Sequence, residues 1–272
     1  MSPRPPVLAC AALIVASTLL AGCSTDTPRR VVTVTADPES PTATASDEAT
    51  PASAVDSDVV EHAGNKYRVV TLPLAHWDVR VQWPEADGIM LRDFLEQQPE
   101  IEVATNAGIF SDDLTPGGLL IADGEELHGL NLREGGGNFH LLPNAVFAVN
   151  DDGTAQVVES HAFDATGVTQ ATQSGPALLL DGEVHPEFNE GSANLAVRNG
   201  VGVSPDGQTV YLAISLSLTN FWDFAGLFSD ELGVEDALYL DGDISSLWVD
   251  GDGEPGPVDG PYAGIITATE RQ

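Results

Sequence analysis

An aspartate placed directly after a buried strand can act as a catalytic base or nucleophile, and Asp241 has this position. It follows the apolar run "ALYL", and Gly242 and Asp243 come directly after it. Such a carboxylate can take a proton from water or attack an electrophilic carbon. Asp-Gly is also a preferred sequence for a type I′ hairpin turn, so the residues alone leave both interpretations open.

Two other segments place polar side chains and glycine where a strand ends. In "TNAGIF" a strand ends at Asn106, and Gly108 allows another part of the backbone to approach closely. The segment "TQSGPAL" contains Gln173, Ser174 and Gly175 in the same kind of position. Both segments can also be ordinary turns that end a strand. We nevertheless treat these residues as candidates for substrate binding.

Positive charge is scarce, with 42 acidic residues against 10 basic ones and a formal net charge of -32. This charge argues against binding nucleic acid through phosphate neutralisation and against adhesion through a basic surface. Arg133 and Asn138 flank three consecutive glycines in "LNLREGGGNF", and Arg198 lies in "VRNGVGV". An arginine beside a glycine-rich loop in so acidic a chain is best explained by a bound anion. A flexible hairpin remains the alternative for the three glycines.

The N-terminal sequence is typical of an exported lipoprotein. Residues 1–22 form an apolar signal peptide that ends in "LLAG" before Cys23, the expected site of lipid attachment. An ordinary secretory signal cut near Ala21 is the alternative. Residues 23–60 are rich in Thr, Ser, Pro and Asp, which predicts a disordered tether. We therefore expect a protein anchored through lipid to the outer face of the cell membrane.

Metal and cofactor chemistry is not indicated. The mature chain would have no second cysteine, and its histidines are scattered without zinc-ligand spacing. The acidic segment "DGDGEPG" has Pro255 where a calcium-binding EF-hand loop needs glycine. We expect no metal and no cofactor.

Residues 61–272 read as a single α+β domain with a mostly antiparallel sheet and few helices. Short apolar and β-branched runs recur, and Asp-Gly pairs such as Asp181-Gly182 separate several of them. Two helices are predicted, one over "MLRDFLEQQ" and one capped by Asn220 and closed by Gly233. Strands are also predicted at Phe139–Leu142 and Thr209–Ile214.

The order of five separated motifs in this sequence resembles that of the phosphodiester glycosidase family. The matching motifs are "TNAGIF", then "LNLREGGGNF", "TQSGPALLLDGEV", "VRNGVGVS" and "ALYLDGDISSLW". The resemblance covers the chain from about Ala104 to Trp248. It departs from the family pattern at Asp243, where the family usually has glycine.

The resemblance implies that Asn106, Arg198 and Asp241 are catalytic. It implies that the substrate-binding residues are Gly108, Arg133, Asn138, Gln173, Ser174, Gly175 and Gly242. The implied activity is hydrolysis of the sugar–phosphate bond of a glycosyl phosphodiester, with Asp241 as base or nucleophile and Arg198 holding the phosphate. Because an extra carboxylate at Asp243 would repel a phosphate, a non-catalytic cell-surface module that binds phosphorylated glycans is the alternative.

Overall fold

The computed structural model describes residues 55–84, 88–242, 244–253 and 260–272. In chain order the strands in these ranges are β1 (Asp56–His62), β2 (Asn65–Pro73), β3 (Trp77–Gln82), β4 (Val103–Asn106), β5 (Leu120–Ala122), β6 (Glu125–His128), β7 (Ala145–Asn150), β8 (Ala155–Glu159), β9 (Val168–Ser174), β10 (Ala177–Leu180), β11 (Glu183–Val184), β12 (Asn199–Val203), β13 (Thr209–Ser215), β14 (Asp236–Tyr239), β15 (Leu247–Val249) and β16 (Ile265–Glu270). The α-helices are α1 (Leu91–Gln97) and α2 (Phe221–Gly226).

The strands form three sheets. Their orders are β1-β2-β13-β12-β14-β10-β11, β15-β4-β16-β3 and β6-β5-β9-β7-β8. Every pairing between these strands is antiparallel. The prediction of a single α+β domain with mostly antiparallel sheets and few helices is confirmed.

The largest apolar cluster is built from the facing sides of all three sheets. Val103 of β4, Phe147 of β7 and Leu238 of β14 are fully buried in it. Because side chains alternate along a strand, Tyr239 points to the opposite side of β14 from Leu238. There it packs against the aromatic residues of α2. The strand that precedes Asp241 is therefore buried on both faces, and its end is held rigidly.

Helix α2 begins at the predicted Asn220 cap but ends at Gly226, before the predicted end at Gly233. The Asn220 side chain accepts a hydrogen bond from the Asp223 amide at 2.8 Å, and its own amide group binds the Asp223 carboxylate at 2.9 Å. After α2 the chain continues as a π-helical segment, Leu227–Glu231. Gly233 has a φ of 64°, a left-handed conformation that glycine adopts at little cost. The cap places Phe221 at the first helical position, beside the candidate site.

Two segments differ from the predictions. The first sheet begins at Asp56, before the expected domain start at residue 61, because β1 is an acidic edge strand that reads as tether by composition. The predicted strand at Phe139–Leu142 is wrong, since Asn138–His140 form a 3-10 helix. The Asn144 amide donates to the Phe139 carbonyl at 2.9 Å, so a side chain satisfies a backbone group that a strand would otherwise pair.

The signal peptide, Cys23 and nearly all of the predicted tether lie outside the described residues, as does Asp243. In the part of the chain that the structure describes, no helix is both long and apolar enough to span a membrane. The anchoring of the protein through lipid therefore stays a prediction.

Candidate active site

The side chain of Asn106 joins the end of β4 to the loop that carries Asp241. Its amide nitrogen donates to the main-chain carbonyl of Asp241 at 3.1 Å and to that of Ala107 at 3.3 Å. Its oxygen accepts from the Ser246 amide at 3.2 Å and from the Asn199 side chain. With 1% exposure, Asn106 has both donors and both acceptor positions filled inside the protein.

Asn199 completes this network, although the sequence analysis did not single it out. Its amide also reaches the Thr105 hydroxyl at 3.3 Å, and its oxygen accepts from the Ser245 hydroxyl at 3.5 Å. Thr105 in turn donates to the Ser246 carbonyl at 2.6 Å. The sequence feature that could have identified Asn199 is its position between Arg198 and a glycine. The network ties β4 and β12 to Asp241, Ser245 and Ser246.

Asp241 itself is half-buried at the start of this loop. The Ser245 hydroxyl lies within 3.0 Å of its carbonyl, which is therefore held from two sides. Neither Asp241 nor Gly242 has a positive φ, so the type I′ turn that the sequence left open does not form here. The Asp241 carbonyl is thus held by the Asn106 side chain of β4 and by the Ser245 hydroxyl four residues further along the chain.

Gly242 is required by the position of Tyr239. A Cβ atom at residue 242 would overlap the Tyr239 hydroxyl oxygen and lie 2.9 Å from the Cζ atom. Its next neighbour is the Val197 carbonyl at 3.6 Å. The glycine lets the loop pass directly over the tyrosine hydroxyl, next to the segment that carries Arg198.

Arg198 is fully buried, with 1% exposure. Its Nε atom donates to the Thr219 carbonyl and its Nη2 atom to the Asn194 carbonyl, each at 2.9 Å. The guanidinium carbon lies 3.5 Å from the centre of the Phe221 ring, a cation–π contact. A bidentate phosphate grip by Arg198 stays a prediction, because these two nitrogens already bind main-chain carbonyls.

Among the described residues, no carboxylate forms an ion pair with Arg198. Burial lowers the pKa of the Arg198 guanidinium from its usual value, while the Tyr239 hydroxyl, which hydrogen-bonds it, acts in the opposite direction. A buried cation favours any negative charge that arrives or develops nearby.

Gln173 and Gly108 hold the first and third sequence segments together. The Gln173 oxygen accepts from the Leu119 amide at 3.0 Å and from the Asn131 amide at 2.9 Å, and its nitrogen donates to the Asn131 carbonyl at 2.8 Å. Gly108 lies against the Gln173 carbonyl so closely that a side chain would overlap it. Gln173 thus holds the segments of Leu119 and Asn131 in place. Direct contact between Gln173 and a substrate stays a prediction.

Ser174 and Gly175 connect this region to the glycine-rich segment. The Ser174 hydroxyl accepts from the Ile109 amide at 3.3 Å. A Cβ at Gly175 would lie 2.6 Å from the Phe139 carbonyl oxygen and 3.1 Å from that of Asn138. The close approach of these backbones explains the glycine.

Asn138 and Arg133 are exposed. Asn138 borders a cavity of about 110 Å³ whose walls include Asn194 and Phe221, both of which contact Arg198. The Arg133 side chain instead binds within its own segment, donating from Nε to the Asn131 oxygen at 3.3 Å. The structure thus brings Asn138 to the Arg198 region, and no contact in the described residues joins Arg133 to Arg198.

Hydrogen bonds and close backbone contacts therefore connect the predicted site segments, from Asp241 through Asn106 to Gly108, Ser174, Gly175 and Asn138. In the described ranges no group of three or more His, Cys, Asp or Glu side chains is placed to hold a metal ion. What the arrangement offers is one half-buried carboxylate on a fixed loop and one buried cation nearby.

Residues 99–265 match the sequence profile of the phosphodiester glycosidase family. The chain belongs to this family. The matched range of the phosphodiester glycosidase domain contains every predicted site residue except Cys23. A relative, the uncharacterized protein YigE of Escherichia coli strain K12, is 37% identical over 185 residues, which are 65% of this chain and 72% of that protein.

Solved structures share the fold of this phosphodiester glycosidase domain. The catalytic domain of zebrafish N-acetylglucosamine-1-phosphodiester alpha-N-acetylglucosaminidase, auto-inhibited by its pro-peptide, superposes with a TM-score of 0.58 at 18% identity, covering 82% of this chain and 86% of that one. A putative exported protein of Burkholderia pseudomallei K96243 gives a TM-score of 0.52 at 13% identity, with 75% and 74% covered. At these identities the likeness concerns the fold.

Replacing Gly242 by alanine should destabilise the domain because the new methyl group must displace the Tyr239 ring. We expect Gly242→Ala to lower the free energy of unfolding by about 1–3 kcal/mol, measured by denaturant unfolding. Gly136→Ala is the matched control, since a Cβ at Gly136 meets no atom within 4 Å. It should change stability by less than about 0.5 kcal/mol.

A second variant assigns the clash to the hydroxyl. Adding Tyr239→Phe to Gly242→Ala removes the overlapping oxygen, so the double variant should lose less stability than the sum of the two single changes. Strictly additive losses would show that the Tyr239 hydroxyl does not explain this glycine.

Proposed function

We propose that this member of the phosphodiester glycosidase family hydrolyses the bond between the sugar and the phosphate of a glycosyl phosphodiester. Asp241 acts as base or nucleophile, and Arg198 stabilises the charge on the phosphate. The observation that carries the proposal is that the fixed Asp241 loop and the buried guanidinium of Arg198 both contact Tyr239. The zebrafish relative, whose name describes cleavage of a sugar phosphodiester, supports this reaction class.

The reaction balances with side chains of this chain and one water. In the base mode, the water oxygen bonds to the anomeric carbon, its proton passes to the Asp241 carboxylate, and the bond from that carbon to the phosphate oxygen breaks with its electron pair on the phosphate. In the nucleophile mode, an Asp241 carboxylate oxygen bonds to the anomeric carbon while the phosphate leaves with the electron pair; water then attacks the same carbon, the bond to Asp241 breaks to restore the carboxylate, and the proton of that water passes to the departed phosphate. A phosphate monoester, with a second pKa of about 6, leaves far more easily than an alkoxide. A separate acid is therefore less necessary than in most glycosidases.

Arg198 contributes through its charge. Buried under Phe221 and held by two carbonyls, the guanidinium keeps its position while the negative charge on the leaving phosphate grows. Its Tyr239 partner lies against Gly242, next to Asp241 in the chain, so the cation and the carboxylate belong to one connected unit. Asn106 and the glycines hold that unit in place.

We also propose that the protein is exported and anchored to the outer face of the membrane through lipid on Cys23. The motif "LLAGC" and the exported relative from Burkholderia support this location. The remaining predicted contacts, from Gly108, Arg133, Asn138, Gln173, Ser174, Gly175 and Gly242, belong to the same proposed substrate site.

Asp241→Asn tests the proposed catalytic carboxylate. Because the loop is held through the Asp241 main chain, the fold should persist, while an amide can neither take a proton from water nor attack carbon. We expect turnover of a p-nitrophenyl-phospho-sugar to fall by roughly 100- to 10,000-fold at an unchanged unfolding temperature. Asp250→Asn, at an exposed position, is the control and should keep full turnover. Undiminished turnover in Asp241→Asn would contradict the mechanism.

Arg198 variants separate the charge of this residue from its shape. Arg198→Lys keeps the charge but cannot bind both carbonyls, so we expect kcat/KM to fall roughly 30- to 1000-fold. Arg198→Met removes the charge while an apolar chain still covers Phe221, and its loss should be larger. Arg80, half-exposed and paired with Asp78 and Asp123, provides Arg80→Lys and Arg80→Met as controls near full activity.

Unfolding curves of all four variants show whether the fold is intact. Equal losses for Arg198→Lys and Arg198→Met would mean that the charge does not contribute, and equal effects at Arg80 and Arg198 would remove Arg198 from the mechanism.

A further inference from the structure

Four planar groups lie against one another between the candidate site and the loop that follows β11. The guanidinium carbon of Arg198 lies 3.5 Å from the centre of the Phe221 ring. The centres of the Phe221 and Phe188 rings are 4.8 Å apart with an angle of 5° between the planes, and those of Phe188 and His185 are 4.7 Å apart at 25°. We name Arg198, Phe221, Phe188 and His185 the stacked series. Each member is buried, with at most 7% exposure.

A tight turn over residues 185–188 brings the two outer rings together. The Phe188 amide donates to the His185 carbonyl at 3.0 Å, the bond that closes a four-residue turn. Pro186 suits the second position of such a turn because its ring presets the backbone angle φ. Phe221 comes from a distant part of the chain, the first position of α2. The stacked series therefore joins α2 to the loop after β11.

Hydrogen bonds and stacking restrain different movements of the Arg198 guanidinium. Its Nε and Nη2 atoms donate, in the plane of the group, to the carbonyls of Thr219 and Asn194. Bonds in that plane oppose sliding within it most strongly and oppose tilting out of it least. The face of the Phe221 ring covers the guanidinium at 3.5 Å and blocks movement in that direction. The position of Phe221 thereby determines the orientation in which the charge of Arg198 is held.

Phe221 is itself supported on its second face. Because the guanidinium fills one face of the ring at 3.5 Å, the parallel Phe188 ring has to cover the opposite face. Phe188 in turn packs against the His185 ring. Parallel aromatic rings attract one another beyond the effect of the area that they bury. A leucine could fill the space of Phe188, but it has no flat face to keep the Phe221 ring parallel to the guanidinium.

His185 ends the stacked series as an uncharged ring. Its Nδ1 atom accepts from the Glu187 amide at 3.2 Å, which places the ring proton on Nε2. Burial lowers the pKa of the His185 imidazole from its usual value, while the carbonyls of residues 141–143 and the charge of Glu187 act in the opposite direction. A neutral ring at this position adds no second positive charge to the series that holds Arg198.

We propose that Phe188 and His185 are positioning residues that act through Phe221 to hold the plane of the Arg198 guanidinium during the reaction. The inference rests on the proposed function, in which the charge of Arg198 stabilises the leaving phosphate. A charge that is already in place needs no reorganisation while the negative charge develops. A tilted guanidinium would keep its charge but lose this advantage. Neither positioning residue has to contact the substrate for this role.

Phe188→Leu removes the flat face while an apolar side chain remains. Because a misplaced group slows the reaction more than it weakens ground-state binding, we expect kcat of the full chain for a glycosyl phosphodiester to fall by roughly ten- to a hundredfold, with KM within about twofold. Phe188→Tyr retains the ring and should retain nearly all of kcat. An unchanged kcat in Phe188→Leu would overturn the inference.

Phe228→Leu is the matched control for lost packing. Phe228 is fully buried in the same apolar cluster as Phe188, but it packs nearly perpendicular to Phe224 and lies outside the stacked series. Both leucine variants should lower the unfolding temperature, whereas only Phe188→Leu should lower kcat. An equal loss of kcat in the two variants would show that Phe188 has a structural role alone.

The Nε–H signal of Arg198 in a nitrogen–proton NMR spectrum reports the position of the guanidinium without any reaction. This proton is buried, bonded to the Thr219 carbonyl and close to the Phe221 ring, so its chemical shift depends on the stacking geometry. Its absence from the spectrum of Arg198→Lys identifies it. We expect Phe188→Leu and His185→Leu to shift or broaden this signal and Phe228→Leu to leave it in place. An unmoved signal in Phe188→Leu would overturn the inference.

The two measurements separate this inference from the proposed function. If the unaltered chain hydrolyses no glycosyl phosphodiester, the proposed function fails and the positioning role fails with it. If the unaltered chain is active and Phe188→Leu moves the Arg198 signal without lowering kcat, the positioning role alone fails. A moved signal together with a lower kcat, neither of them seen in Phe228→Leu, is the result that the inference predicts.

Discussion

The side chain of Asn106 is the interaction on which the rest of the site depends. A buried amide must satisfy two donors and two acceptor positions, and Asn106 does so with partners from three separate parts of the chain. If any of these segments moved, a polar group would be left unpaired in the interior, which is costly. The hydrogen-bonding needs of one amide thereby fix β4, β12 and the Asp241 loop relative to one another.

Steric and electrostatic constraints follow from this arrangement. Once the loop is held against Asn106, it passes over the Tyr239 hydroxyl with room only for glycine at residue 242. The same tyrosine contacts the buried guanidinium of Arg198, which forms no ion pair with a carboxylate of the described residues. Burying a cation is unfavourable for folding, and aromatic and carbonyl contacts offset part of that cost. An arrangement that is expensive for stability and favourable for an anion is typical of a site built for function.

The sequence predicts this site well where a residue type is unusual for its position. Asn106 and Asp241 stand out because each ends an apolar strand, and Arg198 stands out because cations are so rare in the chain. The antiparallel sheets and the cap at Asn220 also follow from local patterns of apolar residues and turns. The shared order of the motifs then adds the family to which the chain belongs.

Other features depend on contacts between distant segments, which no local pattern reveals. Gln173 reads as a binding residue, but its whole amide group is used to position Leu119 and Asn131. Asn199 and Tyr239 read as ordinary strand residues, since only the pairing of β12 with β14 brings them to the site. Strand β1 is missed because an acidic edge strand lacks the apolar alternation that marks a half-buried one.

The central claim is that Asn106 serves catalysis by holding the loop of Asp241, and a double-mutant cycle measures it most directly. Turnover of one glycosyl phosphodiester is determined for Asn106→Ala, Asp241→Asn and the combined variant, with unfolding curves for each. If Asn106 acts only by positioning Asp241, the combined variant will lose activity to within about twofold of Asp241→Asn alone. Losses that multiply instead would show that Asn106 and Asp241 act independently, and would contradict this account.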